Sequence, residues 1–172
     1  MKPNEPSRTA LLIARQRAAH QVLDHGSILY DPFAMKILRE DEKDVVQFAN
    51  AHPLASIGRL FTAARSRIAE DALSGAVERG VRQIVILGAG LDTFALQSPY
   101  GARQIRIYEV NHPATQAWKR QRLAEAQLAH FRHGLFSCQS ISRGTIWGRC
   151  LSVQAFSRTR PRFSPGSALC HI

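Results

Sequence analysis

Val81–His112 reads VRQIVILGAGLDTFALQSPYGARQIRIYEVNH, and the order of elements in it decides the fold. The apolar run Ile84-Val85-Ile86-Leu87 leads straight into Gly88-Ala89-Gly90. A second strand-like run, Ile105-Arg106-Ile107-Tyr108, ends at Glu109. Strand, glycine turn, short helix, strand and acid make the front half of a nucleotide-binding βαβ unit. Glycines let the backbone approach a ligand closely because no Cβ intervenes. An acid at the end of the second strand is placed to accept hydrogen bonds from ribose hydroxyls.

The turn also discriminates between ligands. A dinucleotide site wants G-x-G-x-x-G, with the pyrophosphate on the helix N-terminus. Here the third glycine position holds Thr93, and Asp92 brings a negative charge where a pyrophosphate needs none. A cationic or zwitterionic nucleoside tolerates that acid better, and S-adenosylmethionine is such a ligand.

Outward from this unit the pattern stays α/β. Ser7 caps a helix reading RTALLIARQRAAHQVLDHG, closed by Gly26, with Leu11, Leu12, Arg15, Ala18, Ala19 and Val22 on one side. Tyr30-Asp31-Pro32 opens a second helix anchored by Phe33, Ile37 and Leu38. Asp41 to Asp44 reads as a solvated charge run. A third helical stretch runs from about Ser56 to Arg79, ended by Gly80. Strands are expected at 83–87 and 104–109, a short helix near 92–97 with Asp92 as its N-cap, and a helix from Pro113 to about Ala126.

LGAGLDT followed by IYEVNHP resembles the leucine carboxyl methyltransferase-like family, most closely its bacterial branch of O-methyltransferases. The resemblance runs back through Ala64-Arg65-Ser66-Arg67, similar to that branch's R-[ST]-R segment, and through Tyr30-Asp31-Pro32-Phe33-Ala34 to Arg8-Thr9-Ala10. Forward it reaches ATQAWKRQRLAEA, so it covers roughly residues 7–126. It implies a class I, Rossmann-like methyltransferase fold and S-adenosyl-L-methionine as cofactor. It implies that Gly88 and Gly90 wrap the methionyl part and that Arg65 pairs with the cofactor carboxylate, a geometry that suits a guanidinium fork. The family's E-V-D at the end of the second strand holds the ribose. Glu109-Val110-Asn111 stands here, so the charge-assisted contact at 111 is lost, and Asn111→Asp is expected to tighten binding. Catalytic residues are not assigned.

After Ala126 the composition changes. Residues 1–126 carry all 13 Asp+Glu and 17 Lys+Arg, whereas residues 127–172 carry six Arg, no Lys and no acid. The second segment also holds Cys138, Cys150 and Cys170, with seven serines. Three readings compete for it. A basic nucleic-acid tail is disfavoured by the lack of Lys and of any Arg–aromatic repeat. A metal or disulfide module is disfavoured by cysteine spacings of 12 and 20 without a C-x-x-C, which His130, His133 and His171 do not complete. The favoured reading is an irregular basic tail, out of frame or truncated, behind an incomplete methyltransferase domain at 1–126. Its best strand candidate is Leu151–Phe156. On that reading the edge of Ile84–Leu87 stays open, and the chain is expected to be poorly stable and inactive.

The net charge of +10 is therefore concentrated in the last segment. Met1–Arg8 is polar and no apolar signal core follows it, and no run of about 20 apolar residues marks a membrane span. A cytoplasmic chain acting on a small-molecule methyl acceptor, with no membrane and no specific nucleic-acid partner, is expected. The alternative is a non-catalytic cofactor-binding fragment or a basic interaction protein. Tyr108 and Trp118 are read as packing residues, and His20, His25, His52 and His112 as solvated or core groups without a catalytic partner.

Overall fold

The computed structural model describes residues 5–51, 54–100, 105–128, 135–139 and 167–171. His52, Cys150, His130, His133 and the run Leu151–Phe156 lie outside the described residues. The chain opens with four helices, α1 (Arg8–Leu23), α2 (Ala34–Leu38), α3 (Glu42–Asn50) and α4 (Ala55–Glu78). Then come β1 (Gln83–Leu87), α5 (Phe94–Gln97), β2 (Arg106–Asn111), α6 (Pro113–Glu125), β3 (Leu135–Gln139) and β4 (Ser167–His171). No described helix is long and apolar enough to cross a membrane.

The strands form one parallel sheet in the order β3-β2-β1-β4. Ile84 pairs with Ile107 on one side and with Ala168 on the other. This is the doubly wound arrangement. The chain steps outward from β1 through β2 to β3, then returns to the far side of β1. Such a reversal leaves a crevice at the carboxyl ends of the strands, where ligands bind in open α/β sheets. Two expectations are corrected here. The segment 127–172, expected to offer at best one strand at 151–156, contributes two at other positions, Leu135–Gln139 and Ser167–His171. The edge of β1 is covered by β4, because parallel pairing there satisfies the backbone groups that an apolar edge strand would leave open.

Two apolar clusters hold the layers together. On β1, Ile84 and Ile86 are buried and pack with Leu73 of α4, Phe94 and Ala95 of α5, and Ile105 and Ile107. The second cluster joins Ala14, Ala18 and Ala19 of α1 to Phe33, Ile37, Val45, Leu91 and Leu123. The alanines on α1 leave room for its neighbours to come close, so its buried face is small and mixed rather than a stripe of large apolar residues. Leu12 is accordingly 44% exposed, whereas Arg17 and His20 are buried.

Local chemistry explains the boundaries. Ser7 Oγ accepts from the Ala10 amide at 3.0 Å and caps α1 as expected. Asp41 and its acidic neighbours do more than solvate a surface: Asp41 Oδ1 accepts from the Asp44 amide at 2.8 Å and starts α3. His112 Nδ1 accepts from the Ala114 amide at 3.3 Å, and Pro113 occupies the first turn of α6. His20 is a core group. Its Nδ1 lies 2.9 Å from Asp24, and its Nε2 accepts from the Ile28 and Leu29 amides, each at 3.2 Å. The Asp24 carboxyl is held below its usual range chiefly by the Arg59 guanidinium bonded to it.

Candidate functional site

The glycine turn after β1 is locked before any ligand arrives. Gly88 and Gly90 have φ of +67° and +55°, a region that costs an L side chain energy. The Gly88 and Ala89 amides both donate to Val110 O of β2, at 2.9 and 3.2 Å. Asn111 Nδ2 donates to Gly90 O at 2.9 Å and to Gln116 Oε1 at 3.2 Å, while Asn111 Oδ1 accepts from the His112 amide. A Cβ on Gly90 would sit 3.2 Å from the Ala10 side chain, so the turn packs directly on α1. On Gly88 it would meet nothing within 4 Å. That side of the turn is open.

It opens into a cleft of about 360 Å³. The first turns of α1 form one wall through Ser7, Thr9, Ala10, Ile13 and Ala14. Arg17 of α1, Arg65 and Ser66 of α4, the turn from Gly88 to Asp92, and Asn111, His112 and Thr115 complete it. Four of the five residues singled out from the sequence, Arg65, Gly88, Gly90 and Asn111, therefore line one cleft at the switch point of the sheet. Glu109 does not line it. Its side chain is fully buried and pairs with Lys119 Nζ of α6 at 2.7 Å, with both side chains 1% exposed or less. A second hollow of about 290 Å³, among α1, α3 and α4, is lined by one charged group, Arg59, already engaged by Asp24.

Arg65 is half-buried and makes no hydrogen bond or ion pair among the described residues, and its Nε is buried without a partner. Arg67, two residues on, is exposed and held by Asp71 at 2.9 Å. An unpaired guanidinium at the wall of a cleft is a ready partner for a carboxylate. Two residues on the same helix thus separate into a group that remains available and a surface pair.

Behind the turn lies a polar cluster that the sequence hardly signals. Arg17 of α1 is 4% exposed. Its Nη1 donates to Asp92 at 2.8 Å, and its Nη2 sits 2.8 Å from Asp31 and 3.1 Å from Thr93 Oγ1. Thr93 Oγ1 donates to Asp31 at 2.6 Å, and the Phe94 amide donates to Asp92 at 2.6 Å. Asp92 is not the N-cap expected of it: Thr93 holds that position with no side-chain cap bond, while one Asp92 oxygen accepts from the amide two residues on and the other holds Arg17. Burial works against the Arg17 charge, yet Asp92 and Asp31 outweigh it and raise its pKa above the usual value. Burial also pushes Asp92 up, but Arg17 and then Lys119 prevail and hold its carboxyl below the ordinary range. Glu70 of α4 is pushed up to about 7, first by burial. Asp31 and Asp92 stand in segments that the sequence marks, whereas Arg17 lies unmarked on a helix otherwise rich in Ala and Leu.

Relatives of the chain are found by sequence. The model of the family described as "Leucine carboxyl methyltransferase" matches residues 10–166. "Putative S-adenosyl-L-methionine-dependent methyltransferase YktD" of Bacillus subtilis is 30% identical over 95% of this chain. A like-named protein of Parafrankia, Franean1_4929, is 42% identical over 43% of the chain. Another, Rv1729c of Mycobacterium tuberculosis, is 29% identical over 68% of it. The chain spans 61% of the length of YktD, 24% of the second and 41% of the third. Both the family match and the similarity to YktD run past Ala126, where the readable motifs end.

Proposed function

The chain belongs to the leucine carboxyl methyltransferase family, and on that premise we propose that its cleft binds S-adenosyl-L-methionine for methyl transfer to a carboxylate or hydroxyl oxygen of a small molecule or peptide. The observation that carries this reading is the convergence of Arg65, Gly88, Gly90 and Asn111 on one cleft at the carboxyl end of β1.

The residues present fit the cofactor. Arg65, without an internal partner, takes the methionyl carboxylate. Gly88, with open space beside its Cα, admits the ligand against the backbone, and the tethers from Val110 and Asn111 keep the turn from paying an ordering cost on binding. Asn111 and His112 stand at the ribose end of β2. Glu109 is reassigned from ribose contact to fixing α6 on β2 through Lys119.

Bound there, the cofactor supplies an already activated methyl group on its sulfonium. The protein's part is to bind, orient and exclude water, and positioning alone accounts for large accelerations in such displacements. A carboxylate acceptor is ionised at neutral pH and needs no base, whereas a phenol gains from one. The cluster of Asp92, Asp31 and Arg17 keeps the wall behind the turn acidic, which suits a positively charged ligand better than a pyrophosphate. A second reading keeps the cofactor and omits the transfer: the groups gathered in the cleft are of the kind that hold a cofactor, and none among the described residues is identified as gripping an acceptor.

The two readings part in one assay. Residues 1–172 are incubated with S-adenosyl-L-methionine labelled in its methyl group, together with a panel of carboxylate and hydroxyl acceptors. Label in any acceptor, lost when Arg65 is replaced by Ala, supports the transferase. Saturable cofactor binding without label in any acceptor supports the second reading, and no binding at all removes both.

A further inference from the structure

We infer that His112, rather than an acid, holds the ribose of the nucleoside in this cleft, with its Nε2–H donating to one of the ribose hydroxyls. The inference rests on the cofactor reading above and assigns a further binding residue to that site.

The end of β2 leaves few groups for this contact. Glu109 is buried and paired with Lys119 Nζ at 2.7 Å. Asn111 lines the cleft but is 7% exposed, and its side chain is committed to the glycine turn. Its Nδ2 carries two protons. One goes to Gly90 O at 2.9 Å and the other to Gln116 Oε1 at 3.2 Å. Its Oδ1 accepts from the His112 amide at 2.9 Å. What remains is one lone pair on a neutral, nearly buried oxygen.

His112 stands otherwise. It is exposed, lines the same cleft and follows Asn111 directly at the carboxyl end of β2. It is also the N-cap of α6, where its Nδ1 accepts from the Ala114 amide at 3.3 Å. A backbone amide can only donate, so Nδ1 presents its lone pair and the proton of the neutral ring sits on Nε2. The cap therefore fixes the tautomer and the ring orientation together. Pro113, the next residue, holds the His112 backbone extended. Nε2 makes no hydrogen bond among the described residues, and a ring already anchored at Nδ1 loses little freedom when its other nitrogen meets a ligand. A ribose hydroxyl accepts as well as donates, so a ring donor can serve where a carboxylate would accept.

Calorimetric titration of residues 1–172 with S-adenosyl-L-homocysteine and with its 2′-deoxy and 3′-deoxy analogues measures the contact from the ligand side. One of the two analogues should bind about three- to tenfold more weakly than the parent, the worth of one hydrogen bond. His112→Ser measures it from the protein side. Serine is a good N-cap, so α6 keeps its start and the unbound chain should melt as before. The variant should bind the parent more weakly by the same factor and should show no penalty for that analogue. A purely structural role for His112 would lower affinity for all three ligands alike and leave the penalty in place. Equal binding of the three ligands by the unaltered chain, or a penalty that persists in His112→Ser, overturns the inference and leaves the cofactor reading standing. No binding of the parent overturns both.

Discussion

Arg17→Met is the substitution whose consequences can be worked furthest from the structure. Arg17 is 4% exposed and lies 2.8 Å from both Asp31 and Asp92, whose side chains are 0% and 7% exposed. Methionine matches the stem but leaves two buried carboxylates facing each other without a counter-charge. Breaking a buried pair from one side costs about 3–5 kcal/mol, a large part of the roughly 5–15 kcal/mol that holds a domain together. The pH dependence has a definite sign. In the unaltered chain the Asp92 pKa is depressed, so its contribution is present above the unfolded carboxylate value and is lost as pH falls through the folded one. In Arg17→Met burial is no longer outweighed by Arg17, and the carboxyl moves up instead. The deficit is then greatest at neutral pH and shrinks as pH falls toward about 4, where the carboxylates take up protons. Urea unfolding followed by circular dichroism at pH 7 and pH 5 measures both halves. A deficit below about 1 kcal/mol at pH 7, the size of an exposed ion pair, would refute the reasoning. So would a deficit that does not shrink at pH 5.

Three further substitutions test the parts around the turn. Asn111→Asp removes the donor to Gly90 O and Gln116 and sets a carboxylate against a carbonyl, so a stability loss of about 1–3 kcal/mol is expected in urea unfolding. The tighter cofactor binding expected from sequence for an acid at 111 would thus come with a loss of stability. Gly90→Ala places a Cβ at positive φ and 3.2 Å from Ala10, and a loss of roughly 1–2 kcal/mol should appear in the same measurement. Lys119→Met strands Glu109, whose Oε2 already lacks a hydrogen-bond partner, and should cost about 3–5 kcal/mol, most of it recovered in Lys119→Met/Glu109→Gln.

The front of the fold was legible because its signals are local. An apolar run ending in Gly88-Ala89-Gly90 fixes a strand and a left-handed turn whatever else the chain does, and β1 falls on 83–87 as read. Arg65, Gly88, Gly90 and Asn111 could be singled out because they stand in motifs that resemble the family's, and the fold brings them to one cleft. Glu109 falls outside the cleft lining for a geometric reason. Alternation along β2 puts 109 and 111 on the same side of the strand, but α6 covers 109 and supplies Lys119, a partner ten residues away that no spacing rule requires. Arg17, Asp31 and Asp92 were illegible as a cluster because they come from α1, the loop before α2 and the glycine turn, and meet only after folding. β3 and β4 were missed because Leu-Phe-Ser-Cys-Gln and Ser-Ala-Leu-Cys-His lack the β-branched enrichment that marks a strand. Pairing with β2 and β1 supplies what the local sequence does not.

The central claim is that the cleft beside the glycine turn takes S-adenosyl-L-methionine with its carboxylate on Arg65. Calorimetric titration of the cofactor into residues 1–172, Arg65→Ala and Arg79→Ala tests it most directly. Arg79 is exposed and distant from the cleft lining, so its loss should change affinity by less than about twofold. Loss of Arg65 removes a charged hydrogen-bonding partner and should weaken binding about 10- to 100-fold. Saturable one-to-one binding with that asymmetry is the predicted result. Equal affinities for the two variants, or no binding by the unaltered chain, would contradict it.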